Sequence, residues 1–266
     1  SPPSDALDDI RTRVVIVTVV CLFIAMASAA LRLYVRVAIV KKVGYDDWAA
    51  AITSVLLLGS GITAALATRY GLGRHIHDLD REGIKTWWKI IIFAIVTYQL
   101  AIATAKVAFL LQYRRCFPLP TLQRVCDILL SFVSLWGLAS ALTVIFTCIP
   151  VSLDWARLPP LQCMDRLVFW FLNATINIVT DIIIYCLPFP LLKTLPVQKF
   201  QKMALISLFS MGFFTCAISV IRIFTLRKST TNSDPTWNTA MPAIWSVVEL
   251  SCAVVCLCVP TLRPLI

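Results

Sequence analysis

The sequence predicts an all-α, polytopic membrane protein, a single bundle of seven transmembrane helices. Three observations carry this. Of the 266 residues, 59% are hydrophobic and only 14% are charged. Mean hydropathy is +0.84, more apolar surface than a soluble domain of this length can hide. The apolar residues also fall into seven separate stretches, each long enough at ~1.5 Å per residue to cross a bilayer core. These runs lack the alternation of barrel strands. The connections are short and no repeat is visible, so residues 1–266 read as one domain.

The stretches follow in order. The first, about 14–38, is too long and uniform for a cleaved signal peptide, and no small-residue cleavage site follows it. The second, about 47–68, opens on Asp46 and Asp47. These read as N-terminal caps of a helix, or as a link to the basic residues on the same side. The next loop reads Gly71-Leu72-Gly73-Arg74-His75-Ile76-His77-Asp78. Its glycines permit a tight turn. Its two histidines complete no metal ligand set, which leaves His75 as a solvated loop residue or a proton-transfer group at a cavity mouth. The third stretch, about 89–111, carries Tyr98, Gln99 and Lys106. The fourth, about 122–149, ends at Cys148, and Cys163 in the following loop lies on the same side. The two are a candidate disulfide if that side is extracellular or lumenal. The fifth, about 167–187, places Asn173, Asn177 and Asp181 on one helix face. The sixth, about 203–226, carries Arg222, and the seventh, about 241–262, carries Trp245 and Glu249. The chain opens at Ser1 without a methionine and stops just past the last stretch, which reads as the core of something longer.

The formal charge of +10 does not point to nucleic acid, because the basic residues sit at the ends of the stretches, where anionic head groups lie. Trp48, Trp87, Trp88, Trp155, Trp170 and Trp237 mark the same levels, as an aromatic belt does. Lysines and arginines divide evenly between the two sides. The side opposite the N-terminus holds them in tight clusters on short loops, and the N-terminal side dilutes them with carboxylates. This favours an N-terminus outside or lumenal, in the plasma membrane or endoplasmic reticulum, with the basic loops free to meet a cytoplasmic signalling partner.

Four ionisable residues lie inside the stretches: Lys106, Asp181, Arg222 and Glu249. Such residues are costly in a bilayer and are paired or functional. The structural reading is two ion pairs, with Lys106 and Asp181 as a lock or a switch between two packings. The functional reading gathers Tyr98, Gln99, Asn173, Asn177, Arg222, Trp245 and Glu249 in the half of the bundle nearer the N-terminus. They predict a small polar cavity there for a small hydrophobic ligand. A receptor or sensor would use that cavity to shift the bundle between two packings. A membrane-embedded cyclase or isomerase of secondary metabolism would use Glu249 or Asp181 as acid or base. Arg222 or His75 would then stabilise negative charge. No nucleophile elbow, P-loop or dinucleotide fingerprint is present, so neither reading calls for a cofactor or a metal. A transporter fits less well, because no pair of stretches is broken in matching positions.

With these residues in view, the chain resembles the fungal rhodopsin-like seven-helix membrane family over nearly its whole length. The pieces are Tyr45-Asp46-Asp47-Trp48, Gly71-Leu72-Gly73-Arg74-His75, Lys106, and Tyr113-Arg114-Arg115. They continue through Cys148, Trp155, Cys163, Asn173, Asn177, Asp181 and Pro188-Phe189-Pro190 to Lys202, Gly212 and Arg222. Asp234, Trp245, Glu249 and Pro260-Thr261-Leu262-Arg263-Pro264 close the series. The resemblance implies a seven-helix bundle of filamentous fungi with its N-terminus outside. It also implies kinship to Pth-type receptors and to membrane proteins of mycotoxin gene clusters. Retinal is not implied, since a Schiff base needs an embedded lysine, ordinarily in the seventh helix, and 241–262 contains none.

Overall fold

The computed structural model describes residues 4–73, 80–116, 119–146, 166–187, 212–213, 215–225, 237 and 239–261. Helix α1 spans Ser4–Tyr34 and runs on into a π-helical segment, Val35–Val40. Then come α2 (Tyr45–Arg69), α3 (Arg81–Cys116), α4 (Pro120–Phe146) and α5 (Arg166–Cys186). Helix α6 is described over Thr215–Thr225, and α7 spans Ala240–Cys258. Among the described residues, six helices are long and apolar enough to cross a membrane, and α6 is described over a shorter apolar segment. The architecture is therefore the helical membrane bundle that the sequence predicts, with most of the expected sixth stretch outside the described residues. The helices outrun the apolar stretches. The membrane-crossing part of α3 covers Thr86–Cys116, because the backbone ladder continues past the hydrocarbon edge while lysines and arginines snorkel to the interface.

Helix α3 sits at the centre, against α2, α4, α5 and α7, and α1 lies across α2 and α7. Only 17% of the apolar window of α1 is buried, against 56% for α7. A helix apolar all round with so little protein contact needs lipid as its other neighbour. The outward side chains agree: Phe23 is 75% exposed and Leu135 on α4 is 72% exposed. Three apolar clusters stack through the interior. Val14, Leu72, Trp87 and Ala240 pack on the N-terminal side, Leu57, Ile102 and Leu250 in the middle, and Phe109, Ile184 and Leu257 at the far end. Trp87 departs from the expected aromatic belt. It is 1% exposed and fills the first cluster, whereas Trp48, at 67% exposed, stands where a belt residue should.

Glycine shapes the turn after α2. Gly71 and Gly73 adopt φ of 127° and 84°, a region that glycine enters without penalty. This lets the Leu72 N–H reach back to Ala67 O at 2.9 Å and drops the Leu72 side chain into the core. Arg11 on α1 closes the same end, donating from Nε and Nη2 to Thr68 O at 3.1 and 2.7 Å.

The far end of the bundle is fastened by charge. Asp47 accepts from the Gly44 N–H at 3.0 Å, and Gly44 O accepts from the Asp47 N–H at 3.0 Å, a reciprocal cap on α2. The capping reading of Asp46 and Asp47 is only half of their role. Arg32, at 3% exposed, donates to Asp46 Oδ2 at 3.0 Å and to Asp47 Oδ1 at 2.9 Å, and also to Gln112 and Leu257 O. Arg36 lies 3.4 Å from Asp46 Oδ2, and Arg115 on α3 donates to Asp46 Oδ1 at 2.8 Å. Gly44 leaves room for this network, since a Cβ would stand 2.5 Å from both Arg115 Nη1 and Asp46 Oδ1 and would push those side chains aside. Arg32 thus joins α1, α2, α3 and α7, and is an interior residue where the sequence suggested a head-group anchor.

Removing Arg32 takes the most buried cation from Asp46 and Asp47 and leaves them only the more exposed Arg36 and Arg115, so Arg32→Met should cost ~1.5–3 kcal/mol of stability. Arg114→Met opens only the exposed pair with Asp127, whose partners are 39% and 52% exposed, and should cost ~0–1 kcal/mol. Unfolding of the purified protein in detergent checks both. Equal losses for the two variants would contradict the assignment.

Candidate functional site

The centre of the site is Glu249, which is fully buried on α7. Both of its oxygens are occupied. Oε2 accepts from Tyr98 OH on α3 at 2.6 Å and lies 3.4 Å from Arg222 Nε on α6. Oε1 accepts from Asn177 Nδ2 on α5 at 3.1 Å and from Ser219 Oγ on α6. Arg222 Nη1 in turn donates to Tyr98 OH, and its guanidinium carbon stands 5.1 Å from the centre of the Tyr98 ring. The tyrosine therefore passes one hydrogen bond through to the carboxylate and offers its face to the cation. Side chains from four helices converge because each sits on an inward face, α6 supplying two of the five. On α6, Ser219 and Arg222 are three residues apart, one turn of the helix.

A second cluster lies one turn further toward the far end. Lys106 on α3 is 3.1 Å from Asp181 Oδ1 on α5, and donates to Asn177 O at 2.8 Å and to Thr180 Oγ1 at 2.6 Å. All three ammonium protons thereby have acceptors. Asp181 Oδ2 is buried and has no hydrogen-bond partner. The expected Lys106–Asp181 pair is thus formed, and Asn177 belongs to both clusters, by its amide to Glu249 and by its carbonyl to Lys106.

Beside these clusters a cavity of about 30 Å³ opens between α3, α4 and α5. Gln99, Lys106, Asn173, Asn177 and Thr180 supply its polar wall, and Phe132 and Trp136 on α4 its aromatic wall. Trp136 Nε1 donates to Asn173 Oδ1 at 3.2 Å. Gln99 is 3% exposed, and its Nε2 has no partner. Helices α3 and α4 close in tightly at Gly137, where a Cβ would collide with that of Ala103.

The residues expected to bind a ligand therefore divide. Tyr98, Arg222, Glu249 and Asn177 bind one another, because ions buried in a low-dielectric interior satisfy themselves before leaving room for a guest. Gln99, Asn173 and Asn177 border the cavity. Trp245 lies one turn before Glu249 on α7 and is half-buried. His75, Cys148 and Cys163 lie outside the described residues. Sequence reasoning missed Ser219, Thr180 and Trp136. Serine, threonine and tryptophan are ordinary in membrane helices and do not stand out as asparagine, glutamine or charged residues do, though Ser219 shares the face of Arg222 and Thr180 adjoins Asp181. Among the described residues, no three His, Cys, Asp or Glu side chains gather as a metal site needs.

The fungal rhodopsin domain matches residues 31–266, and the chain belongs to that family. It is similar to Polyenoic acids biosynthesis gene cluster protein Ba17b of Metarhizium anisopliae, 24% identical over 91% of this chain and 70% of that protein. It is also similar to a SAT4 family membrane protein of Emericella nidulans, at 24% over 84% of this chain and 55% of that one. Receptor GIN3 of Arthrobotrys oligospora is 23% identical over 94% of this chain and 62% of its own length. The chain thus spans between 55% and 70% of these relatives. No solved structure matches.

The Glu249–Arg222 contact is directly testable. Glu249→Leu leaves a buried guanidinium without its counter-ion, and Arg222→Met leaves a buried carboxylate, so each should cost ~3–5 kcal/mol. The double variant removes both charges and should cost less than the sum, with a coupling of about 1–3 kcal/mol in detergent unfolding. Additive losses would mean that the two charges do not stabilise each other.

Proposed function

We propose that this fungal rhodopsin domain chain is a membrane receptor or sensor for a small hydrophobic ligand. The observation that carries this reading is the closed Glu249 cluster. One carboxylate holds α3, α5, α6 and α7, so a ligand that draws any partner aside must alter the contacts of all four helices. A buried cluster of this kind has few arrangements in which every charge is satisfied, which is what a two-packing bundle requires. A ligand shifts the balance to the extent that it binds one packing better. The Lys106–Asp181 pair, tied in through Asn177, would act as the second latch. The similarity to Receptor GIN3 supports this reading. In it, the N-terminus faces outside or the lumen of the plasma membrane or endoplasmic reticulum. The basic loops at the far end then meet the signalling partner.

One observation favours a second reading, a biosynthetic cyclase or isomerase. Asp181 Oδ2 is buried with no hydrogen-bond partner, so it has a lone pair free for a substrate proton. The similarity to a protein named for a polyenoic acid gene cluster points the same way. Glu249 suits that role poorly, since its oxygens are fully engaged.

The two readings separate in a fungal host that carries the full-length gene with its neighbouring genes. Alleles Glu249→Gln and Asp181→Asn are compared at equal membrane abundance, by metabolite mass spectrometry and transcript levels together. A sensor gives a parallel fall of transcripts and all downstream products in Glu249→Gln, with no single precursor accumulating. One unconverted precursor in Asp181→Asn at unchanged transcript levels would overturn the sensor in favour of the enzyme. Wild-type behaviour of both alleles would overturn both readings.

A further inference from the structure

The cavity between α3, α4 and α5 says what kind of molecule it suits. Its size decides first. At about 30 Å³ it holds one or two water-sized groups and no ring system. Only the polar end of a ligand fits, and the body must lie elsewhere. The aromatic wall shows where. Phe132 and Trp136 stack with ring centres 6.5 Å apart and planes 11° apart, and Phe132 is 45% exposed on the outer face of α4. That face carries Leu135 and Ile128, 72% and 69% exposed, and is a lipid face. The cavity therefore borders the hydrocarbon.

Its polar chemistry decides the rest. Lys106 stands in the wall, but its three protons already go to Asp181, Asn177 O and Thr180. Its charge is matched by Asp181, so it offers a carboxylate neither a free donor nor a net positive field. Asp181 is not among the cavity residues, so an amine finds no free carboxylate there. The unmatched group is the Gln99 amide nitrogen, a buried donor without an acceptor, which is an expensive state unless something accepts from it.

We propose that this cavity takes the carbonyl of a neutral lipophilic open-chain ester or amide, which enters from the bilayer beside Phe132 and Trp136 and accepts a hydrogen bond from Gln99. The inference rests on the reading that the bundle binds a small hydrophobic molecule, and it names the chemistry of that molecule. The apolar chain lies along the α4 aromatic pair. Gly137 and Ala103 keep α3 and α4 close enough to exclude a bulkier head.

The test uses the full-length protein in lipid nanodiscs and three probes sharing one diazirine-bearing alkyl chain: a methyl ester, the free acid and the primary amine. After photolysis, adducts are mapped by peptide mass spectrometry. The methyl ester should label peptides containing Phe132, Trp136 or Asn173 in preference to the acid and the amine. Gln99→Leu should lower that labelling about fivefold to tenfold, the worth of one buried hydrogen bond to an otherwise unpaired donor. Unlabelled methyl ester should compete it away in the wild-type protein, a result that does not depend on how the variant folds. Preferential labelling by the acid or the amine would overturn the proposal. So would ester adducts that neither the competitor nor Gln99→Leu reduces, because those report bulk lipid on the outside of α4. Labelling as expected with no transcript response to Glu249→Gln would leave the site standing and remove the sensor reading. A transcript response without competable labelling would do the reverse.

Discussion

Glu249 has no access to solvent, so everything that keeps its charge in place must come from the protein. A lone carboxylate in a low-dielectric interior is far too costly to persist, and one ion pair leaves most of its lone pairs bare. The fold answers with four partners from three other helices. That requirement fixes more than a side chain. Tyr98 sets the rotation of α3, Asn177 that of α5, and Ser219 with Arg222 that of α6, because each helix must turn one residue toward the same point. Apolar packing alone would tolerate sliding and rotation of smooth helices in lipid, where little hydrophobic force acts between them. The hydrogen-bonded charge removes that freedom.

The three charged clusters differ in what they can do. At the far end, two aspartates face three arginines, and Arg36 and Arg115 are partly exposed, so water and ions reach the rim. The Lys106 pair is sealed, yet it keeps one unpartnered oxygen on Asp181. The Glu249 cluster is sealed, and both carboxylate oxygens are engaged, although Arg222 Nε makes only the 3.4 Å ionic contact and no hydrogen bond. Asn177 joins the last two through opposite ends of one residue, amide to carboxylate and carbonyl to ammonium. A rotation of α5 large enough to release one contact strains the other. The two clusters are therefore parts of one device, with the small cavity at its side.

How much of this was legible in the sequence depends on the signal each residue carries. The bundle itself was, because apolar runs this long have no other solution. Lys106, Asp181, Arg222 and Glu249 stood out against their apolar neighbours, and depth suggested Lys106 and Asp181 as one candidate pair, but the sequence does not say which charge meets which. Arg32 did not stand out. It lies near the end of its stretch, where an arginine ordinarily snorkels, and only the three-dimensional approach of Asp46, Asp47, Gln112 and Leu257 O shows that it points inward. The site was legible as a list and not as a geometry. The seven polar residues were expected to line one cavity. Instead the charged ones closed on each other and the amides were left beside a smaller space on the α4 side. Sequence spacing gives the face of a helix, but not which neighbour that face meets.

The order of the charged residues along the chain has a consequence for biogenesis. Arg32 meets its carboxylates at the very next turn of the chain, so the first hairpin can neutralise itself as it enters the membrane. Lys106 cannot. It arrives with α3, and its counter-ion Asp181 arrives only with α5, after α4 has been made. Arg222 likewise waits for α7. A central basic residue costs a helix about 2.5–3.5 kcal/mol at the insertion machinery. Helix α3 is long and apolar enough elsewhere to bear that. The later helices must therefore leave the translocon together, or be held there until their partners emerge. A chain cut short after α6 would present an unpaired arginine to the quality-control machinery of the membrane.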